Sequence, residues 1–216
     1  MYSTHFERKQ MKMDDPSNFV SGTEYNVFVY VVGVLFISEC LIWMLTSKRT
    51  KNSSRKSSDK GTVWLVIIGW CCCLTIGAFF RGQNVPELMR NLLLPHFSYY
   101  IGVCLIVLGI IFRCTAVLSL KGAFTLSVQT TSDQYLVKTG LYHLVRNPAY
   151  TGSIMSLLGV NLAYRHILGV VAAFIICLGC YGVRIKIEEK VMEEQFREEF
   201  IQYCIETKYK LFPGLY

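Results

Sequence analysis

A polar stretch with residues suited to binding and proton chemistry, GLYHLVRNPAYTG, runs from Gly140 to Gly152 between two apolar segments. Pro148 fixes its own φ and disfavours the helical region for Asn147, so a new helix is predicted to begin at about Pro148. The free N–H groups of that helix start, with Arg146 beside them, favour an anion. Tyr150 adds an aromatic face that can contact a cation. The stretch therefore predicts half of a binding site for a charged ligand.

Two adjacent carboxylates, Glu188 and Glu189, follow the last long apolar segment. A helical hairpin between the two regions would return these carboxylates to the side of Arg146, and Tyr142 would add a second aromatic wall. An anion site, aromatic walls and two carboxylates suit a small zwitterionic ligand with an additional positive centre. On spacing alone, interfacial anchoring and a solvated helix face are the competing interpretations of the same residues.

The elements that must position these residues are apolar helices. A hydrocarbon core of about 30 Å takes roughly 20 helical residues to cross, and lipid forces the backbone to bond within each segment. The fold class is therefore predicted as all-α, an integral membrane protein with about five transmembrane helices. The five segments are Asn26–Thr46, Thr62–Phe80, Ser98–Leu120, Tyr150–Tyr164 and Ile167–Ile185.

The segments after the third apolar run define the shape of the C-terminal region. Only Arg165 and His166 separate the last two segments, so these should form a tight antiparallel hairpin. From Ile185 to Tyr203 apolar residues recur at helical spacing among charges, which predicts a C-terminal amphipathic cytoplasmic helix. Pro213 follows as a helix terminator.

Loop charge predicts the orientation. The loop Ser47–Gly61 carries six Lys or Arg residues and one Asp, a bias that places it on the cytoplasmic side. Alternate threading then puts the N-terminus outside, and it puts both the polar segment 121–149 and the C-terminal tail inside. The protein is thus expected to be a multi-pass membrane protein whose site faces the cytoplasm.

Composition excludes several classes of function. The chain is 52% hydrophobic and carries a formal charge of +7, but its basic residues lie mainly in loops beside apolar runs, which argues against a nucleic-acid partner. Among the nine cysteines no CxxC pair is accompanied by a second such pair or by a nearby His, so no metal site and no disulfide framework are expected. Buried thiols that act as small hydrophobes are the favoured interpretation.

Two charged residues lie well away from the ends of predicted spans, Glu39 in the first and Arg113 in the third. Both lie at comparable depth from the cytoplasmic end, since each residue adds about 1.5 Å. They are predicted to pair or to share a polar cavity, because an isolated charge in the bilayer is costly. A purely structural ion pair remains the alternative.

From Gln129 to Pro213 the chain resembles the integral-membrane methyltransferases, namely the isoprenylcysteine carboxyl methyltransferase family and the related phospholipid methyltransferases. The shared pattern is Gly-x-Tyr, then Arg-His-Pro-x-Tyr-x-Gly, a helical hairpin, Glu-Glu, and a closing aromatic stretch that ends in Pro. The matching positions here are Gly140, Tyr142, Arg146, Pro148, Tyr150, Gly152, Glu188, Glu189, Phe196, Tyr203 and Pro213. Three regions follow: a polar tail 1–25, three N-terminal spans over 26–120, and a methyltransferase-like catalytic region 121–216.

The resemblance implies S-adenosylmethionine as cofactor, bound at the cytoplasmic ends of the last spans. It assigns Arg146, Asn147 and Tyr150 to catalysis. Arg146 suits a carboxylate, the glutamates suit an ammonium or ribose hydroxyls, and a tyrosine suits a sulfonium. The implied cofactor-binding residues are Gln134, Leu136, Gly140, Tyr142, Arg146, Pro148, Tyr150, Glu188 and Glu189.

Three positions depart from the family pattern. Asn147 stands where the family has His between Arg and Pro, and Gln134 stands where a His precedes the Leu-Val of the lead-in. Both side chains still form hydrogen bonds but cannot titrate, which leaves the methyl acceptor open. Arg197 replaces a Gly and should alter the last helix locally.

The predicted function is methyl transfer from S-adenosylmethionine to a lipophilic acceptor, which is a prenylcysteine carboxylate, a lipid amine or a small thiol. The expected partners are this lipophilic or lipid-modified acceptor and membrane lipids. Two alternatives stay open. One is a nicotinamide-dependent membrane reductase, because sterol reductases resemble the same C-terminal architecture. The other is a non-catalytic membrane protein that kept the fold.

Overall fold

The structure, a computed structural model, describes residues 19–50, 61–82, 85–120 and 136–214, without the side chains of residues 46–50. Gln134 lies outside these residues, as does most of the basic loop that was used to predict orientation. The helices are α1 Gly22–Thr50, α2 Thr62–Arg81, α3 Glu87–Arg90, α4 Phe97–Ser119, α5 Leu141–Leu144, α6 Pro148–Ala163, α7 Ile167–Phe196 and α8 Glu198–Glu206.

The all-helical membrane fold predicted from the sequence is confirmed. Four helices in the described ranges are long and apolar enough to cross a membrane: Gly22–Leu45, Thr62–Arg81, Phe97–Ser119 and Ile167–Phe196. The fourth segment predicted to span is α6, a helix of 16 residues. At 1.5 Å per residue it measures roughly 24 Å. It is therefore short for a hydrocarbon core of about 30 Å, and most of its residues are buried by other helices.

Close packing of α4 against α6 holds this short helix inside the bundle. A Cβ added at Gly152 of α6 would lie 2.6 Å from the backbone nitrogen of Arg113 and 2.7 Å from the carbonyl oxygen of Gly109. One at Gly159 would lie 2.7 Å from the carbonyl oxygen of Gly102. Facing glycines thus let the two backbones touch, as small residues do between membrane helices. Gly152 of α6 therefore packs directly against Gly109 and Arg113 of α4.

The predicted hairpin between α6 and α7 is confirmed and is locked at its turn by His166, which is fully buried. The His166 Nε2 lies 2.8 Å from the Met89 carbonyl, and its Nδ1 accepts from the Gly169 backbone N–H at 3.4 Å. Arg165 donates from its guanidinium to the Leu94 carbonyl. The hairpin turn is therefore bonded both to α3 and to the loop between α3 and α4.

The C-terminal region differs from the single tail helix that was predicted. The last spanning helix, α7, continues without interruption to Phe196, and the amphipathic helix α8 is a separate element of nine residues. The break falls at Arg197, whose φ is 45° and ψ is −116°. This conformation is strained for a residue with a Cβ. The departure from the family's glycine therefore coincides with a break between two helices.

Candidate functional site

Arg146, just before α6, is the centre of a charged cluster. Its Nε lies 3.0 Å from Oε1 of Glu189, and its Nη1 donates to the carbonyls of Cys204 and Thr207. The other carboxylate oxygen of Glu189 lies 2.7 Å from Nζ of Lys210. The side chains of Arg146 and Glu189 are only 10% and 18% exposed, so these charges interact in partly desolvated surroundings.

The segment after α8 lies across the start of α6. The backbone N–H of Arg146 donates to the Tyr209 carbonyl at 2.9 Å, and that of Asn147 donates to the Lys210 carbonyl at 3.0 Å. The Thr151 hydroxyl donates to the Leu211 carbonyl at 2.7 Å. As predicted, α6 begins at Pro148. The two N–H groups just before the helix are, however, already bonded, so the anion site expected there depends more on side-chain cations than on backbone N–H groups.

Glu188 forms a second cluster, separate from that of its neighbour Glu189. Its Oε1 accepts from the Tyr150 hydroxyl at 2.7 Å and from Nε of Arg184 at 2.8 Å. Arg184, which is 3% exposed, also donates from Nη1 to the Thr62 hydroxyl at 2.6 Å. Successive residues on an α-helix point about 100° apart. The two glutamates therefore face different partners and do not form the single pair that the sequence suggested.

A cavity of about 230 Å³ adjoins the Glu188 cluster. Apolar residues of α1 and α2 form much of its wall, and Phe36 and Trp43 are each 54% exposed on the outside of the bundle. Polar side chains line it as well, one from α1 and the others from α4, α6 and α7. The polar lining residues are Glu39, Arg113, Tyr150, Tyr181 and Arg184. A largely apolar cavity beside the lipid-facing surface, with charged groups in its lining, suits an amphiphile.

The predicted pairing of Glu39 with Arg113 is confirmed. The Arg113 Nη2 donates to Glu39 at 2.8 Å, and Nη1 donates to the Ala149 carbonyl at 3.0 Å. Both charged side chains are largely buried, at 12% exposure for Arg113 and 18% for Glu39. Because Ala149 immediately precedes Tyr150, the ion pair connects α1 and α4 to the first turn of α6.

Two tyrosines of the C-terminal region, Tyr142 and Tyr203, are buried and are joined by a hydrogen bond. The Tyr203 hydroxyl of α8 donates to the Tyr142 carbonyl at 2.7 Å. Burial raises the pKa of Tyr203 and of Tyr142, so both phenols stay neutral at physiological pH. Burial also raises the pKa of the Cys204 thiol, although the nearby Arg146 acts in the opposite direction. The structure thus packs Tyr142 into the protein core, beside Ala149.

The structure brings only some of the sequence-predicted site residues together. Arg146 and Glu189 meet directly, Tyr150 and Glu188 meet directly, and the Asn147 side chain donates to the Lys210 carbonyl at 3.2 Å. Leu136 lies in an irregular segment that leads to Gly140, whose φ of 64° favours glycine. Pro148 is buried at the start of α6.

Two site residues were missed in the sequence, Arg184 and Lys210. The i, i+4 spacing of Arg184 and Glu188 on one helix is a signal that could have revealed the first. Lys210 had no such signal, since only the fold of the last segment brings it to Glu189.

The fold and the candidate site together define an all-helical integral membrane protein with a cluster of buried charges and a largely apolar cavity of about 230 Å³. Comparison with known proteins shows which membrane proteins this chain is similar to. Residues 97–199 match the family model for phospholipid methyltransferases. A Saccharomyces cerevisiae protein-S-isoprenylcysteine O-methyltransferase is 33% identical over 105 residues, 48% of this chain and 44% of that protein. Protein-S-isoprenylcysteine O-methyltransferase B of Arabidopsis thaliana is 25% identical over 105 residues, 48% of this chain and 53% of that protein.

A solved structure has the same fold over most of the chain. It is described as the eukaryotic intramembrane Ras methyltransferase ICMT, isoprenylcysteine carboxyl methyltransferase, and superimposes with a TM-score of 0.62 at 21% identity. The match covers 91% of this chain and 70% of that one. The three comparisons agree, and they confirm the resemblance to the isoprenylcysteine carboxyl methyltransferase and phospholipid methyltransferase family. The chain spans about half the length of the first curated relatives it matches.

Proposed function

We propose that this protein is an integral-membrane methyltransferase that transfers a methyl group from S-adenosylmethionine to a lipophilic acceptor. One observation carries the proposal. Tyr150 lines the cavity beside the membrane-facing surface, and its hydroxyl is bonded at 2.7 Å to Glu188, whose neighbour Glu189 holds Arg146. Tyr150 and Glu188 therefore lie between a cavity suited to an amphiphile and the position on α7 where Glu189 begins a charged cluster suited to a zwitterionic nucleoside.

The residues around Arg146 fit the cofactor by their chemistry. Arg146 Nε and Glu189 Oε1 are buried and form an ion pair at 3.0 Å that is not a well-aligned hydrogen bond, so a zwitterionic ligand would pair with these same two groups. Arg146 would hold the carboxylate, and Glu189 would hold the ammonium or ribose hydroxyls. When bound, S-adenosylmethionine supplies an activated methyl group on a sulfonium. The protein's task is then alignment and exclusion of water, since in-line displacement depends mainly on proximity.

The Glu188 cluster would hold the reacting end of the acceptor. Tyr150 and Arg184 present a hydroxyl and a guanidinium to the cavity, and Arg184 is fixed by Glu188 and Thr62. The apolar walls from α1 and α2 would hold the acceptor's hydrocarbon part. The relatives' names point to a prenylcysteine carboxylate as the leading acceptor class, with a lipid amine or a small thiol as the other candidates.

The orientation belongs to the same proposal. Arg146 and Glu189 lie at the end of the bundle where α1 ends and α2 begins, because Arg184 is bonded to Thr62 at the start of α2. The basic loop 51–60 joins those two helices. By the positive-inside rule this end, and the site with it, faces the cytoplasm.

Calorimetry on the purified full chain tests the proposal. Binding of S-adenosylhomocysteine that is weakened at least tenfold by Arg146→Ala supports it, because a charge-assisted bond is worth roughly tenfold or more. Tyr150→Phe serves as the matched variant, since it removes only a hydroxyl bonded to Glu188. It should leave the affinity for the cofactor product nearly unchanged and should slow labelled methyl transfer into a prenylcysteine analogue.

Two results would reject the proposal. Binding of reduced nicotinamide dinucleotide without any binding of S-adenosylhomocysteine would indicate a reductase. Binding of neither ligand by folded wild-type protein would indicate a non-catalytic membrane protein.

A further inference from the structure

Lys210 belongs to the charged cluster although no sequence pattern includes it. Glu189 holds one cation on each oxygen, Arg146 at 3.0 Å and Lys210 at 2.7 Å. A single carboxylate thereby keeps a guanidinium and an ammonium close together. With the Glu189 carboxylate included, the cluster carries one net positive charge, so it still attracts an anion.

The backbone fixes Lys210 at the start of α6. The carbonyl of Lys210 accepts from both the backbone N–H and the side-chain amide of Asn147, at 3.0 Å and 3.2 Å. The backbone of Lys210 is therefore fixed close to Arg146, and only its side chain can change conformation. The same bonds use a helix-start N–H group that would otherwise attract an anion, which leaves the side-chain cations to do so.

The two cations, Lys210 and Arg146, differ in how far their side chains are exposed to solvent. The Lys210 side chain is 26% exposed, whereas that of Arg146 is 10% exposed. Lys210 also ends in a compact ammonium on a flexible stem, while the planar guanidinium of Arg146 is held by Glu189 and two carbonyls. An anion that enters from the aqueous side meets the lysine first, and the lysine can turn toward it while Arg146 stays in place.

We propose that Lys210 is a ligand-binding residue that holds the carboxylate of the methyl donor together with Arg146, and that Glu189 sets the spacing of the two cations. This inference rests on the proposed function. It adds a residue on the last segment of the chain to the site, and it makes that segment part of the binding surface as well as of the scaffold.

Two ligands that differ in the carboxylate provide the test. S-adenosylhomocysteine carries the amino-acid carboxylate, and 5′-methylthioadenosine lacks the whole amino-acid group. Calorimetry on purified full chain should show S-adenosylhomocysteine binding about tenfold more weakly to Lys210→Met than to wild type, as expected for loss of one charge-assisted bond. Binding of 5′-methylthioadenosine should be the same for both proteins.

Lys208→Met is the matched control, because Lys208 lies two residues away, is exposed and has the same charge. It should leave both affinities within about twofold, as expected for a screened surface charge. Lys210→Gln, which keeps a polar side chain without the charge, repeats the test if the methionine variant does not fold. It should show the same loss for S-adenosylhomocysteine alone.

Several outcomes would overturn the inference. An unchanged affinity for S-adenosylhomocysteine in the Lys210 variants would do so, and so would an equal loss for both ligands, which is what a purely structural ion pair predicts. If Lys208→Met weakened the binding of S-adenosylhomocysteine as much as Lys210→Met does, the loss would come from the overall positive charge of this surface and not from a contact with Lys210. If wild-type protein binds no S-adenosylhomocysteine, the proposed function itself fails, and that result is distinguishable from the others.

Discussion

Arg113 of α4 bridges Glu39 of α1 and the carbonyl of Ala149 on α6, with bonds of 2.8 Å and 3.0 Å. The buried ion pair thus joins three helices at the edge of the cavity. Its position beside Tyr150 means that a charge on α1, outside the residues that match the family model, helps to hold the candidate site.

Removing one charge of the Glu39–Arg113 pair should lower the free energy of unfolding more than removing both charges does. Arg113→Met would leave the largely buried Glu39 carboxylate without its cation, a change worth about 3–5 kcal/mol. The double variant with Glu39→Gln should recover much of that loss. Thermal or denaturant unfolding in detergent would measure it as a double-mutant cycle. Equal damage from the two single variants and the double variant would contradict the pairing.

The contact between α4 and α6 should not tolerate a methyl group. A Cβ at position 152 would approach the Arg113 backbone nitrogen to 2.6 Å, so Gly152→Ala must push two backbones apart. We expect a loss of about 1–3 kcal/mol of unfolding free energy.

Gly179→Ala on α7 is the control for this prediction, because its Cβ would meet nothing within 4 Å. It should be neutral or slightly stabilising, since Ala favours helix over Gly. A Gly152→Ala protein as stable as this control would show that the two helices lie farther apart.

The break between α7 and α8 should be relieved by glycine. Arg197 has a φ of 45° and a ψ of −116°, which glycine adopts at little steric cost. Arg197→Gly should therefore stabilise the protein by about 1 kcal/mol. Arg197→Ala keeps the Cβ and the strain, so it should give no gain, and unfolding measurements on both variants isolate the backbone effect. Equal stability of the two variants would argue against strain at this position.

Stability should fall as the medium becomes acidic, because of His166. Burial lowers the pKa of His166 from the usual 6.5, while the bond to Met89 opposes the shift. As pH falls through about 6.5 the unfolded chain binds a proton that the folded protein refuses, so the free energy of unfolding decreases until the lowered pKa is reached.

The free energy of unfolding, measured at several pH values between about 7.5 and 5, the interval around the usual histidine pKa, would test the direction of this change. His166→Gln should flatten the pH dependence, although it also costs stability at neutral pH because the side chain is buried. His143→Gln is the control, since His143 is exposed and its loss should leave the slope in place. A wild-type protein that gains stability on acidification would contradict the prediction.

Local sequence was enough to predict the membrane class, the helical hairpin and the start of α6 at Pro148. Apolar length, the locked φ of proline and the order of the motif residues are local properties, and they hold in whatever way the helices pack. The pairing of Glu39 with Arg113 was also predictable, because two charges at equal depth in lipid have few other partners.

The way in which the charged side chains pair could not be predicted without the packing of the helices. Glu188 and Glu189 are adjacent in the chain, but the helical rotation between them turns one toward Tyr150 and Arg184 and the other toward Arg146 and Lys210. Lys210 joins the site because the last segment crosses the start of α6. Such contacts depend on how distant segments meet in space, and no local pattern of residues specifies that meeting.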